Sequence, residues 1–298
     1  MIKLREGQDE VAEYRNGYMA VPAVPGAGKT TVLAYLAAEL IEENAIAKGK
    51  LLIVTYMNSA VANFRSRIGD YLEERGLSRN RGYEVRTLHS LALNILKEKP
   101  EFLLINDEFR IIDPGTKGRL IRDILDGWLS ANPDRSLKHF SYHPSERGYN
   151  RAVERWEDRD FYRFIKSMIS YLKLYDFNRN KAISMKNSLK RDSYLSWALE
   201  IFANYDRLLH QEGLLDFDEL IIQSLNLLKS DEKLQERLSN KYAYVFEDEA
   251  QDSNHILSQI LELLAGNNGN LVRVGDSNQS IMGTFTSADP EVFRSFIG

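Results

Sequence analysis

The stretch Ala23-Val24-Pro25-Gly26-Ala27-Gly28-Lys29-Thr30 constrains this chain more than any other. It matches a phosphate-gripping loop in everything but the first glycine of the pattern, whose place Ala23 takes. The apolar run Tyr18-Met19-Ala20-Val21 precedes it, and Leu33, Leu36, Ala37, Leu40 and Ile41 follow at helical spacing, so strand, loop and helix are expected in that order. Gly26 and Gly28, set among Pro25 and Ala27, allow a tight bend in which successive N–H groups converge on phosphate oxygens. Lys29 adds a full positive charge and Thr30 offers a hydroxyl to a magnesium ion. The helix that begins there points the positive end of its dipole at the same phosphates. A chance Gly-Lys-Thr in an ordinary loop has no reason to be flanked in this way.

Bulk composition narrows the class. The chain has 298 residues, 43% of them hydrophobic, enough for one or two folding units with a sizeable core. The absence of cysteine excludes disulfides and thiolate metal sites and is compatible with a reducing compartment. The longest apolar run, near Val32 to Ile41, is interrupted by polar groups and too short to span a bilayer, so a soluble cytoplasmic protein with no membrane partner is expected. The net charge of −4 argues against a protein that is basic throughout, but the charge is uneven. Between Leu96 and His210 there are 21 Lys+Arg against 17 Asp+Glu, so the remainder is markedly acidic. The middle is the part best able to face a polyanion.

Along the chain, Leu4 to Ala12 reads as a polar helix start. Within it Gln8 has a carboxamide that can match the two adjacent polar atoms on the edge of an adenine ring, although a solvated helical glutamine looks the same in sequence. Lys50 to Asn58 reads as a buried parallel strand whose carboxyl end reaches a site. Ser59 is expected to cap the next helix, with Val61, Phe64, Ile68 and Tyr71 facing inward. Tyr83 to Val85 forms another strand, leading into Thr87-Leu88-His89-Ser90. This alternation implies an α/β layered domain with its ligand crevice at the carboxyl ends of the strands. Tyr56, Asn58 and His89 are then rim residues. Tyr56 can stack a base, and Asn58 and His89 can bond a phosphate; helix capping accounts for such polar groups equally well.

From Leu96 to His210 the pattern turns to helices without clear strands. Thr116 is expected to cap a segment with Leu120, Ile121, Ile124, Leu125 and Trp128 on one face. Val153, Trp156, Phe164, Ile165, Met168, Leu172 and Tyr175 form a second stripe, and Tyr194, Ala198, Ile201, Tyr205 and Leu208 a third. From Arg135 to Arg191 there are 14 Lys+Arg and 6 Asp+Glu, interleaved with Phe140, Tyr142, Tyr149 and Tyr162. Cations that track a backbone and rings that stack on bases suit a single-stranded nucleic acid; a solvated helical face accounts for any one of these charges taken alone.

Asp216 then caps a helix that begins Phe217-Asp218-Glu219-Leu220. Tyr242-Ala243-Tyr244-Val245-Phe246 is a strand that releases Glu247-Asp248-Glu249-Ala250-Gln251-Asp252 at its end. A magnesium-dependent NTPase needs such neighbouring acids, Asp248 for the metal and Glu249 for the proton of the attacking water. The last strand, Leu271 to Gly275, ends in Asp276-Ser277-Asn278-Gln279-Ser280-Ile281, where Gln279 can orient water and bond a terminal phosphate together.

Taken in order, Gln8, the loop from Ala23 to Thr30, Leu52 to Arg67, Thr87 to Ala92, Asp216 to Leu220, Asp248 to Asp252 and Gly275 to Ile281 resemble the motif series of the UvrD/Rep-like superfamily 1 DNA helicases. The resemblance implies an α/β P-loop NTPase fold: a RecA-like parallel sheet flanked by helices, residues 1–95 and 211–298, interrupted by an all-α insertion, residues 96–210. It also implies ATP and magnesium as cofactors, with hydrolysis coupled to movement along single-stranded or partly duplex DNA, usually 3′ to 5′. By the same resemblance Gln8 contacts adenine, Lys29 the phosphates, Thr30 and Asp248 the magnesium, Glu249 is the base and Gln279 couples phosphate to DNA. Tyr56, Asn58 and His89 lie on the DNA track, and Phe285 stacks there.

Two positions depart from the family pattern. Thr31 stands where an arginine commonly follows the phosphate loop, and the DNA-contacting arginine expected beyond Phe285 is missing. The resemblance further implies a second RecA-like domain, not contained in these 298 residues, which supplies the arginines that stabilise the transferring phosphate. The chain is thus expected to be a fragment that binds nucleotide, hydrolyses it poorly and does not walk. The alternative is a non-translocating ATP-binding switch module that engages a protein or DNA partner without unwinding.

Overall fold

A computed structural model of the chain describes residues 4–5, 7–46, 49–103, 109–133, 155–175, 177–189, 193–276 and 290–297. It divides into two compact units, Met1–Phe102 with Gln223–Gly298, and Leu103–Ile222. The first unit opens with α1 (Gln8–Ala12), β1 (Tyr18–Pro22), α2 (Lys29–Glu42), β2 (Lys50–Thr55), α3 (Asn58–Glu74), β3 (Tyr83–Thr87) and α4 (Leu88–Lys97). The second holds β4 (Arg110–Ile111), α5 (Pro114–Ala131), α6 (Tyr162–Leu174), α7 (Arg179–Ser188), α8 (Tyr194–Gln211) and β5 (Leu214–Leu215). The division falls within α9 (Phe217–Ser230), and the first unit resumes with α10 (Glu232–Lys241), β6 (Tyr242–Asp248), α11 (His255–Ala265), β7 (Leu271–Gly275) and α12 (Pro290–Ile297).

In the first unit the five strands form one parallel sheet in the order β1-β7-β6-β2-β3. Because every strand runs the same way, Pro22, Gly275, Asp248, Thr55 and Thr87 all end at one edge, and the crevice lies there. Side chains alternate across the sheet. Ile53, Val85, Phe246, Val272 and Val274 pack with Leu33, Leu36 and Leu40 of α2 and Phe64 and Ile68 of α3 in one buried core. Each such side chain contributes about 1.5–3 kcal/mol when taken from water. The opposite face meets α4, α11 and α12.

A charged node ties the amino ends of the strands together. Glu84 on β3 accepts hydrogen bonds from Lys50 Nζ and Arg86 Nε, both at 3.0 Å, and pairs with Lys241 Nζ at 3.1 Å. Burial by itself raises this carboxyl, but the bonds from Lys50, Lys241 and Arg86 outweigh it and bring the group down to about 2. A depressed carboxylate contributes its full stability above the ordinary value of 4.5 and loses it as pH falls from there toward 2. Glu84→Gln is therefore expected to cost on the order of 1–3 kcal/mol at neutral pH and to flatten the fall in melting temperature over that acid range. Thermal melts of both proteins across the range check this; parallel curves for variant and parent contradict it.

The second unit is built on its apolar stripes. Ile121, Leu125 and Trp128 of α5, Ile165, Ile169 and Leu172 of α6, and Trp197, Ile201, Phe202 and Tyr205 of α8 share one core. The Trp128 and Trp197 rings stand 5.3 Å apart at their centroids. Beside that core lies a buried ionic cluster. Lys173 Nζ meets Asp216 Oδ1 at 3.0 Å and Glu219 Oε2 at 3.0 Å, Lys117 Nζ lies 3.1 Å from Asp216 Oδ2, and the Tyr205 hydroxyl donates to the same oxygen at 2.7 Å.

Several local expectations need correction. Ser59 does not cap α3: the helix starts at Asn58 after Met57, with no side-chain cap bond. Thr116 does not cap α5; Asp113 does, accepting from the N–H of Gly115 and Thr116, with Pro114 in the first turn. The free choice fell to Asp113 because a proline suits the first helical position and leaves the residue before it extended. Tyr175 and Tyr194 are 51% and 38% exposed, respectively, so the second and third stripes end in solvent at these rings. The unit is not wholly helical either, since β4 and β5 form a short parallel ladder. Asp216 does cap α9, its Oδ1 accepting from the Glu219 N–H at 2.9 Å. Val153, Phe140, Tyr142 and Tyr149, and the side chain of Trp156, lie outside the described residues.

Candidate functional site

The loop between β1 and α2 brings Pro25, Gly26, Ala27 and Gly28 to the crevice, with Lys29, Thr30 and Thr31 as the first turn of α2. Gly26 and Gly28 have φ of 74° and 85°, the left-handed region that L side chains avoid. Gly28 is held to glycine twice over, because a Cβ there would stand 2.7 Å from Gln8 Nε2. That amide nitrogen donates to the Ala27 carbonyl at 2.7 Å, and Gln8 Oε1 accepts from the Arg5 N–H at 3.0 Å. Gln8 is thus seated on the phosphate loop itself.

Across the crevice β6 delivers the acids. Lys29 Nζ and Glu249 Oε2 are 2.6 Å apart although 220 positions separate them in sequence. The lysine is only 11% exposed at its side chain. Glu249 sits in the left-handed region with φ 57°, a backbone strain that a non-glycine residue carries only where its surroundings impose it. Gln251 holds it there: its Nε2 donates to Glu249 Oε2 at 2.8 Å, while its Oε1 accepts from the Asp276 N–H at 2.8 Å, fastening the end of β6 to the end of β7. Gly275 makes room for this, since a Cβ would come within 3.0 Å of Gln251 Oε1 and its backbone N.

Asp248 is 3% exposed, and its Oδ1 is buried without a hydrogen-bond partner. Burial first and the Glu249 charge second push its carboxyl up to about 7, with the Lys29 charge working the other way. A buried carboxylate oxygen without a hydrogen-bond partner, delivered by β6 to the same sheet edge as the first turn of α2 that carries Thr30, suits a hard cation. Among the described residues no group of three or more His, Cys, Asp or Glu is positioned to hold a metal by protein ligands alone. That donor set fits magnesium, which takes one or two protein ligands and completes its shell from phosphates and water.

Tyr56, Asn58 and His89 follow β2 and β3, whose ends pair as Thr55↔Thr87, so the sheet brings them to the same edge as the loop. Asn58 is exposed and Met57 beside it is 65% exposed. His89 is half-buried in the first turn of α4. The Tyr56 hydroxyl is buried beside Glu247 and Ser253, and burial followed by the Glu247 charge raises it well above its ordinary range. The Tyr56 hydroxyl is thus closed to the outside, although the residue as a whole is half-buried. Gln279 and Phe285 lie outside the described residues.

The sequence model of the UvrD/REP helicase N-terminal domain matches residues 4–298. The chain belongs to that family. Among curated relatives, this UvrD/REP N-terminal domain is 28% identical over 289 residues to the ATP-dependent DNA helicase PcrA of Staphylococcus epidermidis, covering 97% of this chain and 35% of the relative. The protein of the same name from Staphylococcus aureus is 28% identical over 293 residues with the same coverage. The chain thus spans about a third of the length of the curated relatives it matches.

Two contacts of this helicase-family domain escaped the sequence reading. Arg67 Nη1 on α3 donates to Thr31 Oγ1 at 2.9 Å, so a guanidinium does reach the position where an arginine was missed after the phosphate loop. No local pattern signals it, because the two residues are 36 apart and meet only when α2 and α3 pack. Gln251 stands in the acidic run at the end of β6, where its residue type alone names no role. Its signal was its place two residues beyond Glu249, at a turn where a side chain can fold back on the acid.

Proposed function

We propose that the chain is the nucleotide-binding motor portion of an ATP-dependent DNA helicase, acting on single-stranded DNA and working with a second RecA-like domain. The observation that carries this reading is the meeting of Lys29 and Glu249 at 2.6 Å beside the unsatisfied Asp248 carboxylate. The N–H groups of Gly26 to Gly28, the Lys29 charge and the α2 dipole grip the phosphates of ATP. Magnesium, when bound through Thr30 and Asp248, neutralises charge on the phosphate oxygens. Phosphates draw Lys29 away from Glu249 and leave that carboxylate, steadied by Gln251, to take the proton of the attacking water. Gln8 contributes the adenine contact, Thr31 and Arg67 flank the loop, and Gln279 links the terminal phosphate to DNA. Tyr56, Asn58, His89 and Phe285 form the DNA track, and the second unit is the inserted helical subdomain.

Both 3′ to 5′ polarity and cytoplasmic location belong to this proposal. Among the described residues no helix is long and apolar enough to cross a membrane. Weak turnover by these 298 residues alone is expected, because the phosphate-stabilising arginines come from the second domain and their loss costs on the order of a thousandfold or more.

Three arginines of the second unit give the test. Arg155, Arg159 and Arg163 are exposed, and Arg155 and Arg159 both pair with Asp160. Reversing all three to glutamate is expected to weaken single-stranded DNA binding and to lower the slope of log affinity against log salt by about 2, at roughly 0.7 per lost phosphate contact. Fluorescence anisotropy with a labelled oligodeoxythymidylate across a salt series measures both. An unchanged affinity and slope reduce the second unit to a scaffold. ATP binding with no DNA binding at all favours the switch module that engages a protein.

A further inference from the structure

Helices α6 and α7 follow each other in the second unit, and neither carries an aspartate or glutamate; the link between them holds one, Asp176. Their cations are Arg163, Lys166, Lys173, Arg179, Lys181 and Lys186. Lys173 is taken up by Asp216 and Glu219, and Lys186 by Glu200 at 2.8 Å, whereas Arg163, Lys166, Arg179 and Lys181 stand exposed. A solvated helix ordinarily mixes both signs, so that its charges pair along its own surface. Two helices with cations alone leave that charge for an anion from outside. The apolar stripe fixes which way α6 turns: Ile165, Ile169 and Leu172 go to the core, and Arg163, Lys166, Ser167 and Tyr171 go to water. Where this helix ends, the rings of Tyr171 and Tyr175 lie against each other with centroids 4.6 Å apart, and each residue is 51% exposed. The unit buries its other large rings, with Trp128, Phe161 and Trp197 at 5% exposure or less. One tyrosine at a surface is ordinary, but two in contact form a patch of ring surface that the core does not use.

We propose that the Tyr171–Tyr175 pair is a stacking platform for an unpaired base of single-stranded DNA whose phosphates run along the exposed cations of α6 and α7. The inference rests on the proposed DNA-binding role of the chain and adds to it a site on the second unit, apart from Tyr56, Asn58, His89 and Phe285. The two halves of the site answer to the two halves of the ligand. Rings offer a flat surface to the π-face that every base has, and cations follow the backbone. At 1.5 Å of rise per residue, Lys166 and Arg163 stand about 7 and 12 Å along the helix from Tyr171, within reach of a few successive phosphates of one strand. Stacking reads no sequence, so the platform holds any unpaired base.

The test uses the intact chain and fluorescence anisotropy with two labelled oligomers of equal length, an oligodeoxythymidylate and one with an abasic site in place of every base. Tyr171→Ala with Tyr175→Ala is expected to weaken thymidylate binding roughly tenfold, and to leave the abasic affinity and the salt slope as in the parent. Tyr171→Phe with Tyr175→Phe keeps the rings and is expected to bind like the parent. Both positions are half in water, so the melting temperatures of all these variants are expected to stay near that of the parent. An oligomer carrying 5-iodouracil in place of thymine, irradiated in the complex, is expected to attach to residue 171 or 175. Unchanged thymidylate affinity in the alanine variant, equal losses on the two oligomers, or cross-links confined to the first unit overturn the platform and leave the DNA reading standing. A parent that binds neither oligomer overturns the DNA reading as well.

Discussion

Replacing Lys29 with alanine is expected to lower magnesium–nucleotide affinity roughly a hundredfold or more while the melting temperature stays near that of the parent. A charge-assisted bond to phosphate in a sheltered crevice contributes on the order of 3 kcal/mol, which is about that factor in the dissociation constant. The lysine side chain is 11% exposed and its partner in the structure is Glu249, itself 41% exposed. A partner that open to water recovers its solvation when the ammonium is removed, so the fold loses little. Calorimetric titration with an ATP analogue reads the affinity, and an unchanged value removes the phosphate loop from the site. The contrast with a glycine change is useful. Gly28→Ala would force a Cβ to 2.7 Å from Gln8 Nε2 in a left-handed backbone, and so would disturb the loop and not only its charge.

The largest effect on stability is expected from Asp216→Ala. Asp216 is wholly buried, and its carboxylate serves Lys173, Lys117, the Tyr205 hydroxyl and the Glu219 N–H at once. Burial works to raise this carboxyl, but Lys173 and Lys117 hold it well below the usual range; Lys173 is pushed up in turn, mainly by Asp216 and Glu219 acting against its own burial. Removing the aspartate leaves a lysine that is 2% exposed short of one counter-charge, at a cost of about 3–5 kcal/mol. For a unit of this size that is roughly 12–30 °C in melting temperature. A depressed carboxylate stabilises above its ordinary value and loses the effect as pH falls toward the lowered one, so the variant's deficit should shrink in strong acid. Differential scanning calorimetry at neutral and acid pH checks both statements, and a loss under about 1 kcal/mol contradicts the first. Asp216→Asn is the gentler control, keeping the acceptor for the Glu219 N–H while removing the charge.

How far the sequence could be read follows from how local each signal is. The phosphate loop, the two acids after β6 and the rim residues after β2 and β3 were legible, because each is a polar group released at the end of an apolar strand. Asp216 as a cap was legible for the same reason, whereas its ionic role was not: Lys117 and Lys173 come from helices about a hundred and about forty positions away. The order β1-β7-β6-β2-β3 was not legible either, since it places the last strand between the first and sixth through pairings that no short window contains. The Asp113 cap is marked in the sequence by Pro114 directly after it, a local signal that the threonine three residues on lacks. Glu247 and Arg273 each looked like an acid or a base near a strand end; only the register of two parallel strands reveals them as partners.

The central claim is that the phosphate loop and the acids of β6 serve one triphosphate. A crystal structure of the chain with magnesium and a non-hydrolysable ATP analogue tests it most directly. The account predicts Lys29 Nζ moved from Glu249 onto the β- and γ-phosphates, with magnesium at about 2.1 Å from the Thr30 hydroxyl and held through Asp248 directly or by one water. An analogue bound elsewhere, with the Lys29–Glu249 pair still closed, would contradict it.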